Sequence, residues 1–190
     1  MPEATDPVAP ARKPGVSVRA LVILAVVAAA VYAADRLSKV WVLANLELGK
    51  PVDVLGTILQ FNYVENSGAA FSIGSGYTWI IAIIASAAVV LIIVFARKIR
   101  SVAWAVLFGM LLGGASGNLT DRLTREPGFG QGHVVDFIQV ALFPAIFNVA
   151  DIFVVSAMGL FVLLTLLGLR LDGTRAPKDP AKARPVEPDA

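Results

Sequence analysis

Four aspartates, Asp35, Asp121, Asp136 and Asp151, lie inside or beside stretches of sequence that are otherwise almost wholly apolar. A carboxylate near a bilayer core is expensive, and such residues usually mark a functional site. Asn118 and Asp121 are spaced i,i+3, as are Asn148 and Asp151, so on a helix each pair shares a face. Asp35 and Lys39 are i,i+4 and can pair with each other. Two carboxylates facing each other in a partly desolvated cleft cannot both ionise cheaply, and they share one proton. Such a dyad can use one acid as the base on a water and the other as the acid on a carbonyl, as aspartic proteases do. The bland alternatives are that Asp136 and Asp151 cap helix ends or pair with Arg122, and that Asp121 is a structural acid paired with Arg122 or Arg125. With no Cys in the chain, thiolate metal sites, disulfides and cysteine nucleophiles are excluded. The single His133 cannot build a zinc site alone and reads as a loop residue.

The elements that must position these acids are membrane spans. The chain has 190 residues, 57% of them hydrophobic and 16% charged, against roughly a quarter charged in a soluble domain. Apolar stretches at about Val18–Ala44, Thr78–Ala96, Val102–Leu119 and Phe147–Leu169 each approach or exceed the ~20 residues a helix needs to cross hydrocarbon. Four crossings place both termini on one side. Arg12, Lys13 and Arg19, then Arg97, Lys98 and Arg100, then Arg170, Arg175, Lys178, Lys182 and Arg184 all fall on that side, which the positive-inside rule makes cytoplasmic. The pI of 9.1 therefore reflects topology, and no nucleic-acid partner is expected. A cleavable signal peptide is the competing reading of the N-terminus, but the apolar run is too long for an h-region.

Residues 1–16 and 172–190 are rich in Pro, Ala and charge and read as disordered cytoplasmic tails around a membrane domain at 17–171. The outer segment at about 47–77 holds two short strand-like stretches, Val52–Leu55 and Ile58–Asn66. Thr124–Phe143 is also outside, and its glycines and Pro127 make its first part a loop. Asp35 lies roughly 25 Å along an outward-running first helix at 1.5 Å per residue. Asp121 ends the outward third span, Asp151 begins the inward fourth, and Asn66 and Asp136 belong to outer loops. All of these polar groups meet at one level, near the outer leaflet.

At this point the residues resemble a known family. Asp35-Arg36-Leu37-Ser38-Lys39, Asn66-Ser67-Gly68-Ala69-Ala70-Phe71-Ser72, Gly117-Asn118-Leu119-Thr120-Asp121-Arg122-Leu123, Val134-Val135-Asp136-Phe137 and Phe147-Asn148-Val149-Ala150-Asp151 together resemble the lipoprotein signal peptidases, also called signal peptidase II. The resemblance implies an all-α membrane protein of four transmembrane helices with a small outer β-sheet cradle and an outer loop or helix. It implies an aspartyl endopeptidase, independent of cofactors and metals, that cuts prolipoproteins just before a diacylglyceryl-modified cysteine. The dyad carries over onto Asp136 and Asp151. Asp35, Lys39, Asn66, Asn118, Asp121, Arg122 and Asn148 carry over as supporting or substrate-binding residues. The implied partners are the diacylglyceryl-prolipoprotein and membrane lipid, with the enzyme acting as a monomer.

Two departures stand out: a longer stretch between Arg122 and His133, and Ile152 where a small Ser commonly follows the motif Asp. Gly109, Gly113 and Gly117 form a small-residue stripe suited to close helix packing, and Trp41, Trp79 and Trp104 suit interfacial anchoring. Two rival readings use the same acids, as a proton relay in a small transporter or as part of a non-enzymatic scaffold for lipoprotein precursors. Gathering at one membrane face, with no inverted repeat, disfavours the transporter.

Overall fold

A computed structural model describes residues 15–68 and 77–175. The expected tails fall almost entirely outside these residues, as does part of the Asn66–Ser72 motif. Four helices are long and apolar enough to cross a membrane: α1 (Val18–Asn45), α2 (Thr78–Ala96), α3 (Val102–Thr124) and α4 (Val149–Leu166). Large apolar side chains such as Val22, Val26, Ile83, Ile84, Val155 and Leu163 point outward from them, as lipid-facing surfaces require. Helix α3 runs to Thr124, a turn and more beyond the expected end at Leu119, and Asp121 and Arg122 are buried in that added turn.

α3 is the central helix, packed on α1, α2 and α4. Its glycines allow this. A Cβ at Gly109 would lie 2.9 Å from the Leu24 carbonyl oxygen, one at Gly113 would lie 2.6 Å from that of Ala28, and one at Gly117 would lie 2.3 Å from Asp35 Oδ2. Gly114, one position round the helix, faces the Ala150 carbonyl oxygen of α4 at 2.8 Å by the same measure. The stripe therefore brings α1 and α3 into backbone contact.

That approach closes a buried ion cluster. Lys39 Nζ, fully buried, lies 2.8 Å from Asp35 Oδ2 and 2.9 Å from Asp121 Oδ2, and it donates to Asn118 Oδ1 at 2.8 Å. The expected pairing of Asp35 with Lys39 is present, but it is half of a larger arrangement. Asp121 also binds Arg36 at 2.5 Å and Arg125 at 2.6 Å. Of the two partners that the sequence reading offered for Asp121, Arg125 is present and Arg122 is not.

At one end of the bundle, the N–H groups of Arg100 and Ser101 in the α2–α3 turn donate to the Leu171 carbonyl beyond α4. Trp104 is buried there and donates its indole N–H to the Leu169 carbonyl, so it is a packing residue, whereas Trp41 and Trp79 are exposed as interfacial anchors would be. At the other end stands an antiparallel sheet of β1 (Val52–Leu55), β2 (Leu59–Asn66), β3 (Val134–Val140) and β4 (Ile146–Phe147), in that spatial order. β1 and β2 match the expected strands. β3 and β4 do not appear in the sequence reading, which placed Asp136 in an outer loop; it lies on a paired strand, and Asn66 closes β2 where the expected strand-like stretch ended. The expected outer loop is present at residues 125–133, folded back on α3 through Gly132 N–H to the Arg122 carbonyl at 3.0 Å. Val42, Tyr63, Val135 and Phe137 form the small core that fixes the sheet to α1.

Two stability outcomes follow. Gly113→Ala should lose about 1–3 kcal/mol, read as a lower thermal unfolding midpoint in detergent, while Gly159→Ala, where a Cβ meets nothing within 4 Å, should be tolerated. Lys39→Met removes the cation between two buried acids and should cost on the order of 3–5 kcal/mol. Adding Asp35→Asn to Lys39→Met should recover part of that loss; no recovery would mean that packing, not charge, sets the cost.

Candidate active site

The site forms where α3, α4 and the sheet meet. Helix α4 begins with a reciprocal cap: Asn148 Oδ1 accepts from the Asp151 N–H at 3.1 Å, and Asp151 Oδ2 accepts from the Asn148 N–H at 3.1 Å. Capping of this kind satisfies donors that a helix start otherwise leaves free. It also holds Asp151 at the N-terminal turn, where a helix favours negative charge. Asp136 comes from β3 by a different route. On a strand, alternate residues face opposite sides, so Val135 and Phe137 pack into the core under the sheet while Asp136 faces the helices.

Two asparagines join the acids. Asn148 Nδ2 donates to Asp136 Oδ1 at 2.6 Å and lies 3.0 Å from Asn118 Oδ1. Asn118 Nδ2 donates to Asp151 Oδ1 at 2.9 Å. Asn66, at the end of β2, donates to Asp136 Oδ2 at 2.8 Å. Each of the four carboxylate oxygens of Asp136 and Asp151 thus accepts one amide N–H. Lys39 reaches this network through Asn118, and Asp35 reaches it by accepting from the Ala150 N–H at 3.1 Å. Burial pushes the Asp136 carboxyl up to about 6, with the charge of Asp151 adding to the rise and the Asn66 and Asn148 hydrogen bonds opposing it.

Both acids line one cavity of about 630 Å³. Asn66, Asn118 and Arg122 complete its polar wall; Ile81 and Ala85 of α2, Phe143, Phe147, Ile152 and Val155 make the opposite side apolar. Ile152, the departure noted in the sequence, is simply part of that apolar wall. Arg122 donates from Nη2 to the Gly68 carbonyl at 2.6 Å, and its buried Nε has no partner among the described residues. It pairs with neither Asp136 nor Asp151, which removes the bland reading of those two as Arg122 partners. A groove of similar volume at the opposite end of the bundle, beside Trp104 and Arg170, contains none of the clustered acids.

The nine residues singled out in the sequence therefore gather in two adjoining groups. Asp136, Asp151, Asn66, Asn118, Asn148 and Arg122 meet in or beside the cavity, and Asp35, Lys39 and Asp121 form the ion cluster behind Asn118. The sequence reading missed Arg36 and the Ala150 N–H. Arg36 contacts Asp121 from 85 positions away, a separation with no local spacing signal, and a backbone donor has no side-chain signature at all. Among the described residues no three His, Asp or Glu side chains converge as a metal site.

Comparison with known proteins agrees with this architecture. The family model described as Signal peptidase (SPase) II matches residues 27–167. A lipoprotein signal peptidase of Leifsonia xyli is 59% identical over 159 residues, covering 84% of this chain and 74% of that protein. One from Mycobacterium avium is 45% identical over 170 residues, covering 90% and 91%. Two solved structures of a bacterial membrane enzyme share the fold, with TM-scores of 0.70 and 0.68 at 24% and 25% identity; each covers 82% of this chain, and the shares of those chains covered are 93% and 98%. With four membrane-crossing helices and a match across nearly all of them, the chain belongs to the signal peptidase II family and is a multi-pass bacterial membrane peptidase.

Proposed function

We propose that this peptidase is of the aspartyl type, with Asp136 and Asp151 as its dyad, and that it removes the signal peptide from diacylglyceryl-modified prolipoproteins just before the lipidated cysteine. The observation that carries this reading is the amide cradle: all four oxygens of the two acids are held by N–H donors while both acids line one cavity. Asp136, buried and raised to about 6, carries the shared proton. Asp151, at the start of α4, acts as the base. It takes a proton from water as the water oxygen bonds to the scissile carbonyl carbon, and the Asp136 hydroxyl hydrogen-bonds the developing oxyanion. Collapse breaks the C–N bond, Asp151 returns its proton to the leaving amine, and Asp136 keeps its own. No metal or cofactor takes part.

Asn66, Asn118 and Asn148 orient the acids. Arg122, on the polar wall of the cavity, contacts a substrate backbone carbonyl. Asp35, Lys39 and Asp121 hold α1 and α3 in register. The apolar side of the cavity suits a substrate anchored by acyl chains, and the relatives' name supplies the lipoprotein. Arg19, Arg97, Lys98, Arg100, Arg170 and Arg175 all lie at the end away from the sheet, which supports cytoplasmic termini and a site near the outer leaflet. One chain supplies every site residue, consistent with a working monomer.

The test is cleavage of diacylglyceryl-modified prolipoprotein in detergent with EDTA present throughout. Asp136→Asn and Asp151→Asn should each lose roughly 100- to 10,000-fold in turnover, while wild type is indifferent to the chelator. Retained cutting by either variant would remove that acid from the dyad. The pH profile then assigns the roles. With Asp136 as the protonated partner, kcat/KM falls as pH rises through about 6, because the free enzyme loses the required proton. The corresponding limb in kcat lies higher, since bound substrate excludes water and deepens the burial that raises Asp136. A kcat/KM that instead rises through about 6 would exchange the two roles.

A further inference from the structure

The sheet has two unlike ends. Its charged end carries Glu47 and Lys50, which pair with each other, and Glu65, which faces His133 Nδ1 at 3.6 Å. Its other end has two turns, Gly56–Ile58 between β1 and β2 and Ala141–Ala145 between β3 and β4. No charged residue occurs between Asp53 and Glu65, or between Asp136 and Asp151. The Ala141 N–H donates to the Ile58 carbonyl at 2.9 Å, so the two turns lie side by side. Their apolar side chains point away from the protein: Leu55 is 64% exposed, Ile58 67% and Leu142 105%.

Leu142 is the informative member. Its φ is +66°, a left-handed conformation, and it is the sole non-glycine with positive φ among the described residues. Glycine or asparagine would fit there without strain, and a leucine rarely does. A fully exposed leucine held in that conformation is better accommodated by an apolar medium than by water. The neighbouring residue gives the surroundings. Phe143 lines the cavity together with Ile81 and Ala85 of α2 and Ile152 and Val155 of α4, so the turn borders a space walled by the spans. Trp41, exposed on the last turns of α1 and packed edge-on against Phe61 of β2 at 5.8 Å, marks the interface beside it.

We propose that Leu55, Ile58 and Leu142 form an apolar prow by which the sheet inserts into the acyl region of the adjoining leaflet, beside the mouth of the active-site cavity. The occupant is bilayer lipid, because the two turns carry no charge and the side chains they expose are large and apolar. Insertion fixes the sheet's height, and hence that of Asp136, relative to the hydrocarbon in which a lipid-modified substrate is anchored. The prow rests on the membrane placement of the spans and not on the dyad.

The chain's lack of cysteine makes the test direct. Leu142→Cys, Ile58→Cys and, at the charged end, Lys50→Cys are each labelled with an environment-sensitive fluorophore and reconstituted into phosphatidylglycerol-containing nanodiscs holding one copy. Labels at 142 and 58 should show blue-shifted emission, quenching by lipids bearing a nitroxide on an upper acyl carbon, and protection from iodide. The label at 50 should show the reverse. Iodide quenching at 142 and 58 equal to that at 50 would overturn the proposal, and so would protection from both quenchers, which would mean that protein covers the prow. Repeating the measurement in the Asp136→Asn background should leave the fluorescence unchanged, so a failed dyad and a failed prow remain distinguishable.

Discussion

One ammonium group organises the polar half of this protein. Lys39 Nζ stands between Asp35, Asp121 and Asn118 with no water-facing surface. A buried charge of this kind is tolerable only when its partners are fixed beforehand. Here they are fixed by glycines: a side chain at Gly117 would occupy the space of the Asp35 carboxylate. The small-residue stripe and the ion cluster are therefore a single device. Close backbone approach makes the charges meet, and the charges set the register at which α1 and α3 meet.

From that cluster the order passes outward through amides. Asn118 receives from Lys39 and gives to Asp151, and Asn148 lies against Asn118 and gives to Asp136. Asparagine suits this position because it is neutral, donates and accepts on one short side chain, and cannot compete with the acids for a proton. A lysine placed directly against a buried carboxylate favours its ionised form. Placing it one amide away orients Asp151 while leaving Asp136 free to be raised by burial to about 6.

Much of this was legible in the sequence. The four spans were readable because length and apolarity are what a bilayer demands, and the common level of the acids followed from topology alone. The pairs Asn118 with Asp121 and Asn148 with Asp151 were readable as shared faces, although only the second is a hydrogen-bonded unit. What escaped was set by distant contacts. β3 is Val134-Val135-Asp136-Phe137-Ile138-Gln139-Val140, largely apolar on both faces, which obscures the period of two that marks a half-buried strand. Trp104 looked like an anchor because aromatic residues at span ends usually are, yet the Leu169 carbonyl gave its N–H a buried partner. Asp121 was read correctly as charge-paired, and neighbouring Arg125 is one of its partners, but Arg122 is not, and distant Arg36 and Lys39 left no local signal.

The strand also explains why the site could not be built from helices alone. Between Phe61 opposite Ile138 and Val64 opposite Asp136, the β2–β3 ladder slips by one residue. Bulges of this kind re-aim side chains and are frequent beside active sites. Beyond the slip, Asn66 pairs with Val134, and its amide reaches diagonally across to the Asp136 carboxylate. Moving the register by one residue would turn Asp136 into the core of Val42 and Tyr63 and point Val135 at Asp151. That alternative buries a charge without its amides and leaves a valine in the cavity, so stability and the proposed chemistry select the same register. The bulge is thus where the fold's energetics and the proposed chemistry coincide, because an acid that must be buried can be held by β3 only in the register that also gives it its hydrogen bonds.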